Sequence, residues 1–168
     1  MDTAETITQL TKMLQNLDRW LEKATAHAEQ KKFPPDVLAQ ARLAPDQYEL
    51  ARQVQSACDA AKYAAAYLSG QTAPSHPDTE KTVAELRARI RTCVQYLQSV
   101  KASAYAGAME RRVAPPWLQG KWCTGADYLM QVAVPNFYFH VAMAYAILRH
   151  NGLELGKMDY IGAIPARD

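Results

Sequence analysis

The sequence predicts an all-α protein: a four-helix bundle in a single domain, residues 1–168, with long crossovers after helices 1 and 3. Hydrophobic residues make up 49% of the chain, which is enough for a real core at this length. Glycine is scarce, at 7 residues, and this disfavours all-β and disordered proteins. Four segments place apolar residues at steps of three and four, which is the period of an α-helix.

Helix 1 is predicted over residues 4–31. Its apolar residues form one stripe, which consists of Ile7, Leu10, Leu14, Leu17, Leu21, Ala24 and Ala28. The following stretch, "KKFPPD", ends the helix because two prolines cannot continue it. A short helix is expected over residues 36–42, inside the first crossover.

Helix 2 is predicted over residues 46–69, with Gly70 as its natural C-terminal stop. Helix 3 is predicted to start at Asp78 or Thr79, because either side chain can cap a helix N-terminus, and to end near Lys101. The apolar stripe of helix 3 consists of Val83, Leu86, Ile90, Val94 and Leu97.

Residues 103–123 are expected to form a long irregular crossover, with room for two short strands, because "APPWLQG" breaks any helical pattern. Connections of this length are uncommon in compact domains unless they cover something. Helix 4 is then predicted to begin after an N-cap at Thr124 and to run to about Asn151. The tail that follows Gly152 is expected to be extended.

Charge and composition exclude several classes of function. The net charge is only +2 and the charges are interspersed, so no nucleic-acid partner is expected. The longest apolar segment, residues 132–148, is shorter than the roughly 20 residues that span a bilayer, so no membrane partner is expected. The N-terminus lacks the basic and apolar regions of a signal peptide. Together with an odd number of cysteines, these observations predict a cytoplasmic protein.

Helix 4 carries two polar residues on its predicted inner face. At about 100° per residue, Asn136 and His140 fall one turn apart among apolar neighbours, and Pro135 beside them is expected to kink the helix. The opposite arc, expected to face solvent, holds Asp127, Gln131, Tyr138, Tyr145 and Arg149. A buried polar group without a partner costs about 1 to 3 kcal/mol. His140 is therefore either a hydrogen-bonded core histidine or part of a ligand site.

Helix 2 presents a polar stripe that offers partners for these residues. Its members are Tyr48, Arg52, Gln55, Ser56, Asp59 and Tyr63. One interpretation is that this stripe is the solvated face of the helix. The other is that Arg52, Ser56 and Asp59 line a pocket, because they lie on one face within seven residues.

Two segments resemble a known family. They are "ARLAPDQYELARQVQSACDAAKYAAAYLSG" in helix 2 and "VPNFYFHVAMAYAILRHNG" in helix 4. On these segments the chain resembles the DinB/YfiT-like superfamily, and within it an uncharacterised bacterial and fungal branch of domains of unknown function. The resemblance covers nearly the whole chain and implies a four-helix bundle with long crossovers.

The resemblance also implies a degenerate metal site. Many members of the superfamily bind a divalent metal through three histidines, one in helix 2 and two spaced four apart in helix 4. Carried over to this chain, the second helix-4 position is His140, the first is Asn136, and the helix-2 position falls near Ser56 or Asp59. A single histidine is a poor set for zinc or nickel, so no cofactor is expected. A hard cation held by oxygen ligands remains the alternative.

Three functions are consistent with these observations. The first is a homodimeric module that binds a small molecule or protein through His140, Asn136, Asp59, Ser56 and Arg52. The second is a metal-dependent transferase or hydrolase acting on a small substrate, with His140 as base or metal ligand and Asp59 orienting it. The third is a structural domain whose inward polar residues determine packing. The homodimer is expected because helix 2 is rich in alanine and helix 4 is broadly apolar.

Overall fold

The computed structural model of the chain describes residues 2–166. Helix α1 spans Thr3–Lys31, and the side chain of Asp2 caps it by accepting a hydrogen bond from the Ala4 amide at 2.9 Å. The helix ends at Lys32, whose φ of 61° is left-handed. A 3-10 helix, Pro35–Gln40, follows close to where the short helix was predicted. Most of the described chain is helical, so the all-α prediction is confirmed.

The next two helices start later than predicted. Helix α2 spans Leu50–Ser69 and ends at the left-handed Gly70, as expected. Helix α3 spans Val83–Ser99. Its N-cap is Thr82, which accepts a hydrogen bond from the Glu85 amide while the Glu85 carboxylate accepts one from the Thr82 amide. This reciprocal capping box satisfies two backbone donors at once, so it outcompetes Asp78 and Thr79 as the start.

The fourth predicted helix is present but is not uniform. Helix α4 (Gly125–Asp127) begins after Thr124, whose hydroxyl accepts from the Asp127 amide. A π-helical segment, Tyr128–Ala133, and helix α5, Val134–His150, continue it without a break. We refer to α4, the π-helical segment and α5 together as the composite helix. Pro135 is the second residue of α5 and follows the π-helical segment directly, so its missing N–H falls where regular α-helical bonding is already interrupted.

The second crossover contains the expected pair of strands. Strand β1 (Arg112–Val113) pairs antiparallel with strand β2 (Cys123–Thr124), and Val113 lies opposite Cys123. The turn between them holds a short 3-10 helix, Pro116–Leu118. We call residues 112–124 the hairpin. It joins directly to α4 and therefore lies beside the composite helix.

The core lies between the helices. Helix α2 packs against α5, α1 against α3, and α3 also against α2. Helix α2 has an apolar stripe opposite its polar one, and the members Val54, Ala57 and Leu68 are fully buried. Cys58 and Cys93 are buried too, as small core residues. Among residues 2–166, no helix is long and apolar enough to cross a membrane.

The C-terminal tail differs from the extended prediction. It forms helix α6, Lys157–Ile161, which packs on α1. The Tyr160 ring stacks on Trp20 at 5.6 Å between centroids, and Trp20 Nε1 donates to the Asp159 carbonyl at 3.1 Å. Tyr145, predicted to face solvent, is half-buried under this tail and donates to the Leu155 carbonyl. The local sequence pattern around Tyr145 does not show that the C-terminal tail packs over it.

Candidate functional site

A cleft of about 570 Å³ opens between α2 and the composite helix, with the hairpin at its side. It is lined by Tyr48, Arg52, Ser56, Asp59, Ala60, Tyr63, Tyr67, Pro116, Trp117, Tyr128, Val132, Ala133, Asn136 and His140. All five candidate site residues of the sequence analysis belong to this lining. The polar stripe thus faces a cleft, with Tyr48 and Tyr63 still 53% and 38% exposed. Gln55 is the exception, because it is buried and donates to Glu80 instead.

His140 is held by a residue that the sequence analysis did not select. It is 8% exposed, and its Nδ1 lies 2.8 Å from Gln53 Oε1. Gln53 is 1% exposed, and its Nε2 donates to the Tyr48 carbonyl at 3.2 Å. Because a carbonyl can only accept, this second contact orients the Gln53 amide and leaves Oε1 toward the imidazole. His140 Nδ1 must then carry the proton, and Nε2 is the ring nitrogen with a free lone pair.

The same surroundings keep His140 neutral. Burial lowers the pKa of the His140 imidazole below its usual range, and the positive charge of Arg52 lowers it further. The ring of Tyr48 lies nearly parallel to the imidazole, at 6.5 Å between centroids. Among residues 2–166, His140 Nε2 has no hydrogen-bond partner. The cleft therefore contains a neutral imidazole that can accept a hydrogen bond, take a proton or bind a cation.

Replacing Gln53 with Glu is expected to raise the pKa of His140, because a carboxylate beside Nδ1 favours the imidazolium. In the parent protein the pKa of His140 is lowered on folding, so its contribution to stability is complete above about pH 6.5 and is lost as the pH falls through the folded-state pKa. In the variant, the folded-state pKa is expected to lie above the unfolded-state value of about 6.5, so stability should instead increase as the pH falls through the folded-state pKa. Nitrogen-15 NMR of the imidazole and chemical denaturation across pH measure both effects. A parent His140 protonated at Nε2 at neutral pH would contradict the assigned orientation of Gln53.

Asn136 lines the cleft, but the prediction that it is buried is wrong, because its side chain is exposed. The reason is the π-helical segment just before it. A π-helical turn takes one extra residue, so the later positions are displaced by about 100° from a regular α-helix. After the displacement, Phe137, Val141 and Ala144 occupy the middle of the buried face, and Asn136 lies at its edge. There its amide can reach a ligand without the cost of burial.

Asp59 does not orient His140, contrary to the enzyme hypothesis. Its carboxylate accepts from Lys62 Nζ at 2.8 Å and from Arg89 Nη2 at 2.8 Å. Both cationic side chains are only 2% exposed, whereas Asp59 is 30% exposed and forms part of the cleft wall. Asp59 thus supplies the negative charge that two buried cations require.

Two further carboxylates join Asp59, Lys62 and Arg89 in one cluster of ion pairs. Arg89 also pairs with Asp78 and Glu80, both at 3.2 Å, in the segment that joins α2 to α3. Arg52 pairs with Asp78 from the cleft side. The segment between the two helices has no regular structure of its own, so these ion pairs attach it to α2 and α3.

Gln53 could have been selected from the sequence. It lies four residues before Ala57 and therefore on the side of α2 that the apolar stripe buries. An amide on that side requires a partner for the same reason that His140 does. What the sequence could not show is that the partner would be His140, which lies 87 residues away.

The residues at the position of the family's metal site do not fit a transition metal. Among residues 2–166, no group of three or more histidine, cysteine, aspartate or glutamate side chains lies close enough to hold a metal ion. His140 supplies one nitrogen, while Asn136 is a weak neutral donor. The Asp59 carboxylate is already bonded to Lys62 and Arg89. A metal at this place would thus have to compete with the Lys62 ammonium and the Arg89 guanidinium for its only charged ligand.

Comparisons with known proteins agree on one family. A family model described as a domain of unknown function, DUF1993, matches residues 3–161. Among solved structures, the chain is similar to the crystal structure of a DinB family member protein from Shewanella denitrificans, at 49% identity and a TM-score of 0.92. That match covers 96% of this chain and 92% of the other. No curated protein matches the sequence.

Proposed function

The chain belongs to the DUF1993 family of DinB-like proteins, and we propose that it is a binding module for a small organic molecule, built on a four-helix bundle whose metal site has been lost. The observation that carries this proposal is the bare Nε2 of His140 inside a cleft of about 570 Å³. Gln53 determines which ring nitrogen is free, so the acceptor is oriented before a ligand arrives. Such preorganisation lowers the entropic cost of binding.

The charges around the cleft favour an uncharged ligand. Three cationic and three anionic side chains form ion pairs with one another: Arg52, Lys62 and Arg89 with Asp59, Asp78 and Glu80. Each of these groups already has an ionic partner, so an ionic ligand would have to break a pair before forming its own. A neutral donor such as a hydroxyl or an amide can bond to His140 Nε2 without that loss. Ser56 and Asn136 add neutral polar groups along the same wall.

The proposal predicts that 6-phenylhexan-1-ol binds more tightly than 6-phenylhexanoate or 6-phenylhexylammonium. These probes share one apolar body and differ in the charge of the polar end. Replacing His140 with Ala is expected to weaken binding of the alcohol about tenfold, as for one lost hydrogen bond, and His140→Gln should restore part of it. Isothermal titration calorimetry at pH 7.5 measures the affinities, and circular dichroism checks that each variant is folded.

The pH provides an internal control for this experiment. Imidazolium cannot accept a hydrogen bond, so binding of the alcohol should weaken as the pH falls through the pKa of His140. Tighter binding of either charged probe, or no effect of His140→Ala on the alcohol, would contradict the proposal.

A second candidate function is general-base catalysis in a transferase or hydrolase that acts on a small substrate. The observation that favours it is the same neutral imidazole, because a base needs a bare nitrogen and a fixed tautomer. In this case His140→Gln would preserve binding but abolish turnover. Hydrolysis of p-nitrophenyl acetate by the parent and by His140→Gln distinguishes the two candidates.

A cytoplasmic homodimer remains part of the proposal. Three free thiols support a reducing compartment. Support for the dimer comes from Met130 and Phe139 on the composite helix, each 52% exposed although large and apolar. The alanines of α2 are buried within the single chain, so the dimer surface is assigned to the composite helix instead. Sedimentation of the parent and of Phe139→Ser at micromolar concentration checks this assignment.

A further inference from the structure

The end of the cleft away from His140 is aromatic. Tyr63 and Tyr67 stack along α2 at 5.7 Å between ring centroids, and Tyr128 of the composite helix meets Tyr67 edge-on at 5.4 Å. Trp117 faces the cleft from the hairpin. We call Tyr63, Tyr67, Tyr128 and Trp117 the aromatic end. The rings of Tyr67 and Tyr128 contact one another, whereas Trp117 pairs with no aromatic ring and no cation among residues 2–166.

The two ends of the cleft are well separated. Helices α2 and α5 run antiparallel, since His140 bonds to Gln53 near the start of α2 and Tyr128 contacts Tyr67 near its end. Twelve residues separate Tyr128 from His140, which corresponds to about 18 Å along the composite helix. A ligand that uses both ends is therefore elongated, with a polar group at one end and an apolar group at the other.

We propose that the cleft selects a ligand with a flat aromatic group at the end opposite its hydrogen-bond donor, and that Trp117 is the residue that recognises this group. This inference rests on the proposed small-molecule function and specifies its ligand class. Trp117 is 57% exposed and lines the cleft from the hairpin, which ends at Thr124, four residues before Tyr128. A flat ring placed there meets aromatic side chains from the hairpin, α2 and the composite helix, the arrangement in which stacked and edge-on contacts add to apolar burial.

The hairpin itself shows that Trp117 differs from its neighbour Trp122. Trp122 is 52% exposed, but it lies outside the cleft lining, and the guanidinium of Arg112 lies 5.2 Å from its ring centroid. One tryptophan of the hairpin is therefore already occupied by a cation, and the other is free to meet a ligand. Pro115 and Pro116 directly precede Trp117, and their fixed φ angles limit the conformations of the turn that carries it.

The test compares 6-phenylhexan-1-ol with 6-cyclohexylhexan-1-ol by isothermal titration calorimetry. The two alcohols have the same chain and hydroxyl group, and the saturated ring is the more hydrophobic, so apolar burial alone favours the cyclohexyl compound. The parent protein is expected to bind the phenyl compound at least fivefold more tightly, because only a flat ring stacks. Trp117→Ala should weaken the phenyl compound about tenfold and remove the preference, while Trp122→Ala, the matched control, should change neither affinity.

Two results would overturn the inference and leave the proposed function intact. In the first, the parent protein binds both alcohols equally well, and His140→Ala weakens the binding of both. In the second, Trp122→Ala and Trp117→Ala reduce the affinity for the phenyl compound by the same factor. If neither alcohol binds the parent protein, the inference and the proposed function fail together. If Trp117→Ala loses the preference for the phenyl compound but still binds the cyclohexyl compound, the result supports both the inference and the proposed function.

Discussion

Replacing Asp59 with Asn is expected to lower the free energy of unfolding by about 3 kcal/mol, because the change leaves buried cations without their counter-charge. Lys62 and Arg89 are each 2% exposed in their side chains, and both donate to the Asp59 carboxylate at 2.8 Å. Arg89 keeps Asp78 and Glu80 as partners, whereas Lys62 loses the only ionic partner that the described residues give it. The loss should therefore come mainly from Lys62.

A double-mutant cycle isolates this cause. Lys62→Met removes the buried ammonium and keeps the apolar stem, so it should recover most of the stability that Asp59→Asn removes. Lys62→Met alone should cost little, because Asp59 is 30% exposed and retains Arg89. Urea denaturation of the four proteins gives the coupling energy. Additive effects of the two changes would show that the ion pair is not what holds this part of the protein.

The second large effect is expected from Gly125→Ala, which should destabilise the protein by about 3 kcal/mol. A Cβ at position 125 would lie 1.8 Å from the Ala108 carbonyl oxygen and 3.0 Å from Leu68 Cδ2. Backbone hydrogen bonds hold the crossover at this distance, from the Gly125 amide to the Arg111 carbonyl at 2.8 Å and from the Ala126 amide to the Met109 carbonyl at 2.9 Å. The methyl group can be accommodated only if these bonds are disrupted.

Gly107→Ala serves as the control for this substitution. Gly107 lies in the same crossover and has a φ of +66°, but a Cβ there would meet no atom within 4 Å. Its replacement should cost about 1 kcal/mol, as for an alanine in the left-handed region. Thermal unfolding of both variants measures the difference. A smaller loss for Gly125→Ala than for Gly107→Ala would mean that the crossover moves away from α4 more readily than its hydrogen bonds indicate.

The family and the class of fold could be predicted from the sequence because their signals are local. The stripe of α1, the prolines after it and Gly70 at the end of α2 act within one or two turns of the chain. The same holds for three of the five candidate site residues: Arg52, Ser56 and Asp59 share one face of a regular helix, so their common orientation follows from spacing alone.

The errors arose where a distant contact or an irregular turn decides the structure. The π-helical segment displaces Asn136 to the edge of the cleft, and a constant angle per residue cannot anticipate it. Helix α3 is capped by Thr82 and not by Asp78, because Thr82 and Glu85 form a capping box. Asp78 instead forms an ion pair with Arg89. The tail became helix α6 because it packs on Trp20, a residue more than a hundred positions earlier.

The sequence by itself thus determined an all-α, DinB-like chain, the polar stripe of α2 and the presence of a histidine on the inner side of the composite helix. Only the tertiary structure decided that Gln53 orients His140, that Asp59 neutralises Lys62 and Arg89, and that Trp117 lines the cleft. The physical reason is range. Periodicity and capping depend on neighbours within a few residues, whereas a buried proton acceptor, a counter-ion or an aromatic wall comes from whichever distant segment packing brings alongside.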